Sequence, residues 1–298
     1  MKKVWPVLLF AASTPLLAQG RQFSTQLRPV AGPPATAADI LAARRTARAI
    51  KPQVIITSAS MEEFLLPAAI DAPGKNGTFF RTDFFITNNR ASDQEILIAW
   101  LPQGISATGL AASRFSLSGN TVYLISDFLA GGAGKLSESG VGSILVTGVV
   151  SGTNTADSNA VLEGGDRIWT FEPGSNGTNS FTMEGQLGDV FGTSTATAIG
   201  LRQDASFRAN VGVVNLDTSA AHNWTVRVVG TNGSETTFNI NVPALSMVQT
   251  AVPTAFGPGN LFVEFTPDAG MAGEDWAAYG VSADNTSGDA WVSRATQP

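Results

Sequence analysis

Two stretches of this chain repeat one another. Phe80-Arg81-Thr82-Asp83-Phe84-Phe85-Ile86-Thr87-Asn88 and Phe207-Arg208-Ala209-Asn210-Val211-Gly212-Val213-Val214-Asn215 both read Phe-Arg-x-Asp/Asn-x-x-Ile/Val-x-Asn. Each is followed by a polar break and a second apolar run. Successive side chains on a strand point to opposite faces. Phe80, Thr82, Phe84 and Ile86 therefore share one face, as do Phe207, Ala209, Val211 and Val213, and these are the expected core faces. Arg81 with Asp83, and Arg208 with Asn210, share the opposite face, where a guanidinium reaches the neighbouring oxygen or crosses to an adjacent strand. Together with Asn88 and Asn215 they read as structural pins. An anion-binding role for the arginines would want more basic residues or a nest of backbone N–H groups. The nearby sequence offers only Lys75.

From Ile55 onward, short runs rich in Val, Ile, Thr and Phe alternate with Gly, Asn, Ser and Asp, the grammar of an all-β protein. Strands are predicted at Glu63–Ala69, Thr78–Asn88, Gln94–Leu101, Ser113–Leu117, Thr121–Phe128, Gly142–Val150, Arg167–Glu172 and Asn179–Met183. A second series follows at Thr197–Leu201, Ser206–Asn215, Asn223–Val229, Thr236–Val242, Ser246–Val252, Asn260–Phe265, Asp275–Ala283 and Ala290–Arg294. The boundary is expected within the Gly-, Ser- and Thr-rich Glu184–Ala196. With no helices to cross over parallel strands, each series implies an antiparallel β-sandwich, immunoglobulin-like in type, over 61–188 and 189–298.

The chain opens with Lys2, Lys3 and an apolar run from Val4 to Ala18, which reads as a secretory signal peptide over 1–18. The run is short of the ~20 residues a spanning helix needs and is broken by Ser13, Thr14 and Pro15. Residues 19–60 read as a flexible lead, with a short helix over 37–50 whose Asp39 comes early and whose Arg44, Arg45 and Arg48 come late. Without Lys2 and Lys3 the formal charge moves from 18 − 24 = −6 to 16 − 24 = −8, so no basic face for nucleic acid is expected. The absence of cysteine excludes thiol catalysis, disulfides and cysteine-ligated metals.

Glu63 to Asn88 with Leu65-Leu66-Pro67-Ala68-Ala69, the stretch from Gly200-Leu201-Arg202 to Asn215, and the closing Ala278-Tyr279-Gly280-Val281 with Asp284-Asn285 carry a resemblance. Over most of residues 60–298 the chain resembles an uncharacterised family of exported tandem β-sandwich modules, frequent in acidobacterial and related secretomes. The resemblance implies export and a two-module body, with no catalytic residue to carry over. The loop Ser151–Gly165 is longer and more polar than its counterpart.

The search for chemistry is mostly one of exclusion. His222 is the only histidine and reads as a surface residue in a turn, without the Gly-x-Ser-x-Gly elbow of a hydrolase. Acidic groupings at Glu62-Glu63, Asp157 with Glu163 and Asp166, Asp268 with Glu274 and Asp275, and Asp284 with Asp289 would need a cleft to act as paired carboxylates. Calcium suits such loops better. Asp284, Asn285 and Asp289, and Asp157 with Asp166, are its candidate ligands. Trp100, Trp169 and Trp224 read as core or half-core, whereas Trp276 and Trp291 lie near acidic loops and are the candidates for stacking on a sugar ring.

The expected function is therefore an exported, non-enzymatic β-sandwich protein with a structural, adhesive or ligand-displaying role at the cell surface, in the periplasm or outside. Its expected partners are surface proteins or polysaccharides, with no cofactor beyond calcium. A glycan-binding module is the first alternative, and a carboxylate hydrolase with a deep cleft between the modules is the second.

Overall fold

The computed structural model describes residues 21–50, 62–172, 174–185, 192–253, 256 and 259–297. The leader expected over 1–18 and residues 51–61 lie outside them, as does the middle of the expected boundary. The fold is all-β. An N-terminal segment contributes β1 (Gln22–Ser24), β2 (Arg28–Pro29) and α1 (Ala37–Ile50). The first strand set is β3 (Glu63–Pro73), β4 (Phe79–Asn88), β5 (Gln94–Pro102), β6 (Ser113–Leu117), β7 (Thr121–Ile125), β8 (Gly140–Val149), β9 (Leu162–Phe171) and β10 (Thr178–Glu184). The second is β11 (Ala196–Leu201), β12 (Phe207–Asn215), β13 (His222–Gly230), β14 (Glu235–Val242), β15 (Ser246–Ala251), β16 (Leu261–Pro267), β17 (Trp276–Asp284) and β18 (Ala290–Arg294). The sixteen strands predicted from alternation are those observed in the two sets, with shifted ends, whereas β1 and β2 were not predicted.

Both sets pair in the same order. In the second, β11-β16-β13-β14 forms one sheet and β15-β12-β17-β18 the other. In the first, β3-β8-β5-β6 and β7-β4-β9-β10 reproduce that order, and β3 runs on to pair Ala72 with Phe80 on β4, joining its two sheets. The sandwich architecture was expected, but this strand order is not that of the immunoglobulin fold. There the first strand pairs with the second and the seventh with the sixth. Here the first pairs with the sixth and the seventh with the second.

Three buried clusters hold the strands. One lies between the sheets of the first set and includes Phe64, Phe84, Ile86, Ile98, Trp100 and Ile144. A second lies between the sheets of the second set, around Val211, Val213, Trp224, Phe265 and Trp276. The expected core faces of the repeat are thus buried from Thr82 and Ala209 onward, while Phe80 and Phe207 remain partly exposed. The third cluster joins the sets. Leu65, Leu97, Ala99 and Leu145 from β3, β5 and β8 meet Val214, Met247, Ala277, Tyr279 and Val281 from β12, β15 and β17. Burying side chains of this size stabilises by about 1.5–3 kcal/mol each.

The N-terminal segment, expected as a flexible lead, is instead packed on the first set. β1 pairs parallel with β7 and β2 pairs with β6, covering both sheet edges. Leu27, Ile40 and Leu41 are buried, which gives the segment an apolar reason to stay. The helix start follows from Thr36 and Asp39. The Thr36 hydroxyl and backbone N–H both donate to the Asp39 carboxylate, and Asp39 N–H donates back to Thr36 Oγ1, a reciprocal cap.

Candidate binding face

The outer face of β7-β4-β9-β10 collects the exposed aromatic rings Phe79 and Phe171 together with Arg81 and Arg167. Because side chains alternate, β4 turns Phe79, Arg81, Asp83 and Phe85 away from the core while Thr82, Phe84 and Ile86 point into it. On β9 the register places Trp169 opposite Arg81, Arg167 opposite Asp83 and Gly165 opposite Phe85. On β7, Leu124 stands opposite Phe85, and Phe23 of β1 stands beside Val122. Phe171, Leu124 and Phe23 are 55%, 50% and 74% exposed, large values for apolar side chains that share one sheet face.

Arg81 sits at the centre of the aromatic part. Its guanidinium lies 4.9 Å from the Phe79 ring centre, 5.4 Å from Trp169 and 6.0 Å from Phe171. Trp169 and Phe171 meet edge to face at 5.3 Å, and Arg167 approaches the indole at 5.8 Å. These are cation–π distances. Asp83 orients the indole by accepting from Trp169 Nε1 at 2.9 Å, and its other oxygen lies 3.8 Å from Arg167. The Asp127 N–H also donates to Asp83 at 2.9 Å, fixing the β7 end of the face. The two ion pairs, Arg81–Asp127 at 3.7 Å and Arg167–Asp83, are long and partly solvated, so they are worth little as stabilisation. Their cations remain able to turn toward a ligand.

Trp169, expected as core or half-core, is half-buried, and its alternation with Arg167 and Phe171 puts all three on the outer face. The arginine in that alternation was the available signal, because a core face of a sandwich has no place for an unpaired guanidinium.

The other candidate residues go elsewhere. Trp276 is fully buried against Trp224, with its ring centre 5.8 Å away, and donates to the Gly192 carbonyl. Its ring has no surface to offer a sugar. Trp291 is half-buried, edge-on to Phe207, with its indole N–H on the Gly200 carbonyl. The two tryptophans do not form one surface. Asp284 Oδ1 is occupied by the backbone N–H groups of Thr286 and Ser287 and by the Ser287 hydroxyl, which hold its carboxyl below the usual range. Arg208 donates to the Asp284 carbonyl at 3.2 Å and to Asn285 Oδ1 at 3.3 Å, placing a cation where calcium would sit. Asp289 Oδ1 accepts from Ala290 N–H.

Asp157 and Asp166 are not brought together as ligands. Asp157 pairs with Arg90 at 2.6 Å, whereas Asp166 is fully buried on β9, accepting from Met183 N–H at 3.2 Å. Burial drives its pKa well above the ordinary carboxylate value, against the smaller lowering effect of that N–H. Among the described residues no group of three or more histidines and carboxylates is arranged to hold a metal.

Of the pins, Asn88 and Asn215 end β4 and β12 fully buried, and Asn210 lies half-buried between Ala251 and Val281. Lys75 does come near one of the repeat arginines, though it is Arg208. The two line a small open cleft at the junction of the strand sets, with Thr78, Phe80, Asp284 and Ser287. That cleft contains a single carboxylate, Asp284, rather than the pair a carboxylate hydrolase requires.

His222 is the largest departure from expectation. It begins β13, is 5% exposed, and lies between two carboxylates, with Nε2 2.8 Å from Asp217 and Nδ1 3.0 Å from Asp268. Both ring nitrogens can donate to ionised carboxylates only in the imidazolium form. Burial alone would lower its pKa, but the hydrogen bonds to Asp217 and Asp268 outweigh burial and raise it. A turn residue became a buried ion cluster because Asp217 and Asp268, distant in sequence, meet there.

No protein-family model matches the chain, and no curated protein matches it.

Proposed function

We propose that this is an exported, non-enzymatic β-sandwich protein with an adhesive, ligand-displaying role, belonging with the tandem modules it resembles. The observation that carries the reading is the outward array of Phe79, Arg81, Trp169 and Phe171 on a sheet held rigid by a core beneath it. Aromatic residues and arginine are the side chains enriched where proteins bind partners. The side chains that could have carried chemistry serve internal pins, as His222 and Asp284 do.

A glycan is the second reading, now centred on Trp169 and Phe171 rather than on Trp276 and Trp291. Ring faces flanked by the donors of Arg81 and Arg167 and the acceptor Asp83 would suit a pyranose, which has an apolar face and a polar rim. The test is capture of envelope proteins and polysaccharides by the purified chain and by a Trp169→Ala, Phe171→Ala variant. Binding lost in the variant supports the assignment. Binding retained in full by the variant removes this face from consideration.

A further inference from the structure

The outer faces of β7-β4-β9-β10 and β15-β12-β17-β18 hold the same place in the two strand sets, yet only one is covered. In both, an aromatic ring lies flat across a glycine at the same register. Phe85 of β4 crosses Gly165 of β9, and Tyr279 of β17 crosses Gly212 of β12, the same pair with the strands exchanged. A Cβ on Gly165 would come within 2.5 Å of the Phe85 ring, and one on Gly212 within 2.3 Å of Tyr279. In the second set this flattened face is buried, with Tyr279 0% exposed inside the cluster that joins the sets. In the first set it is bare, and Leu124 beside Phe85 is half exposed.

We infer that the Phe85, Leu124, Trp169 and Phe171 face of the first set pairs with the same face of a second copy of this chain about a twofold axis. The inference rests on the proposal that this face is the contact surface, and adds the partner. The repeat shows that a face of this construction packs sheet on sheet. The outward face of β11-β16-β13-β14 is a poorer complement. Beside Val229, Phe262 and Ile199 it presents Asn223, Thr225, Asn239 and the ion pairs of Arg227 with Glu235 at 2.7 Å and Glu264 at 2.6 Å. Head-to-tail stacking would bury those charges against apolar rings, at a desolvation cost. Self-pairing buries like with like. It also brings Arg81 and Arg167 of one copy toward Asp83 and Asp127 of the other, since the face carries both signs.

The strands β7, β4, β9 and β10, of 5, 10, 10 and 7 residues, lie about 4.8 Å apart and cover a plan area of roughly 500 Å². Side-chain relief raises the accessible area toward the ~800 Å² that each partner gives to a standard interface.

The experiment is sedimentation equilibrium of the purified chain from about 1 to 200 μM, a range that captures micromolar association. The expected result is a reversible dimer that Leu124→Asp and Phe171→Asp each weaken by about tenfold or more. Ile199→Asp, at a 65% exposed position on β11 in the outward face of the other sheet, should leave it unchanged. Phe171 ends its strand, so its variant keeps the test open if Leu124→Asp disturbs β7. A chain that stays monomeric throughout, or a dimer that Ile199→Asp disrupts equally, overturns the inference. A monomer that binds a polysaccharide through Trp169 and Phe171 overturns self-pairing and leaves the adhesive reading intact. A monomer with no partner of any kind overturns both.

Discussion

Asn88 and Asn215, at the ends of β4 and β12, are held by the same set of hydrogen bonds. Asn88 Nδ2 donates to the carbonyls of Ser92, Leu117 and Ser118, and its Oδ1 accepts from Arg90 N–H. Asn215 Nδ2 donates to Ala220, Val242 and Pro243, and its Oδ1 accepts from Asp217 N–H. Each amide thus ties the turn after its own strand to the end of the strand two further on, β6 or β14, across the sandwich edge.

Replacing either asparagine by alanine leaves several buried carbonyls and one N–H without their partner, so each variant should lose about 2–4 kcal/mol. Urea unfolding monitored by tryptophan fluorescence measures this. Losses below about 0.5 kcal/mol would remove the pin role, because surface substitutions reach that size.

Gly212→Ala should destabilise more than Gly165→Ala. The added methyl meets a ring in both cases, but Tyr279 is enclosed and also donates its hydroxyl to Gln249 at 2.7 Å, whereas Phe85 is half-buried and has solvent to move into. Overpacking costs of about 1–3 kcal/mol are expected for Gly212→Ala and less for Gly165→Ala, read from thermal midpoints. The reverse order would mean that Phe85 is the more tightly held ring.

The strands were legible in the sequence because alternation is a local property, and the repeat made the two series check each other. Strand order was not legible. Whether the seventh strand pairs with the second or the sixth depends on which contacts close the sandwich, and neither the pattern of β9 nor that of β17, buried on both faces, specifies its neighbour. The same limit hid His222, whose partners Asp217 and Asp268 lie on a turn and beyond β16. It also left Trp169 as core or half-core, since Trp169 and Phe171 pattern like core residues when Arg167 is given no weight. Trp276 became a stacking candidate only through its acidic neighbours. Glu274 and Asp275 lie beside it in sequence, while the indole points into the core.

Millimolar calcium should leave the unfolding midpoint of the chain unchanged. Asp284 already has three donors on one oxygen, Arg208 stands beside the loop, and Asp157 is paired with Arg90. A metal that binds only the folded state must raise the midpoint. A rise of several degrees that Asp284→Asn abolishes would contradict the placement of Arg208 there.

His222 predicts a pH window. Its folded pKa is raised above the ordinary 6.5, so its contribution is fully present below that value and is lost as pH rises through the folded pKa. For Asp217, burial raises the pKa but the His222, Ser219 and Ala220 hydrogen bonds outweigh it. For Asp268, those from Asn223, His222 and Gly270 do the same. Both are held below the ordinary 3.8, so their contribution is present above it and lost as pH falls through the depressed values. The destabilisation caused by His222→Gln should therefore be largest between these limits, at about pH 5–6, and shrink as pH rises above 6.5 through the raised folded pKa. A difference that does not change with pH would show that His222 is neutral in the fold.

Asp166 should behave in the opposite sense to the paired carboxylates. It is fully buried, its Oδ2 has no hydrogen-bond partner among the described residues, and burial raises its pKa well above 3.8. Burial, with a smaller contribution from Asp166 where that carboxylate is ionised, likewise raises the buried Tyr279 hydroxyl. The unfolded chain releases the Asp166 proton near pH 3.8 and the folded chain holds it to higher pH, so stability falls as pH rises from 3.8 through the raised folded value. Asp166→Asn keeps an oxygen for Met183 N–H and cannot ionise. The variant should match the wild type at about pH 4 and gain on it toward pH 8, by about 1.4 kcal/mol for each unit by which the native pKa is raised. Urea unfolding of both proteins across that range decides it. A variant less stable than wild type at pH 8 would show that the carboxylate is ionised in the fold and has a partner stronger than the Met183 amide.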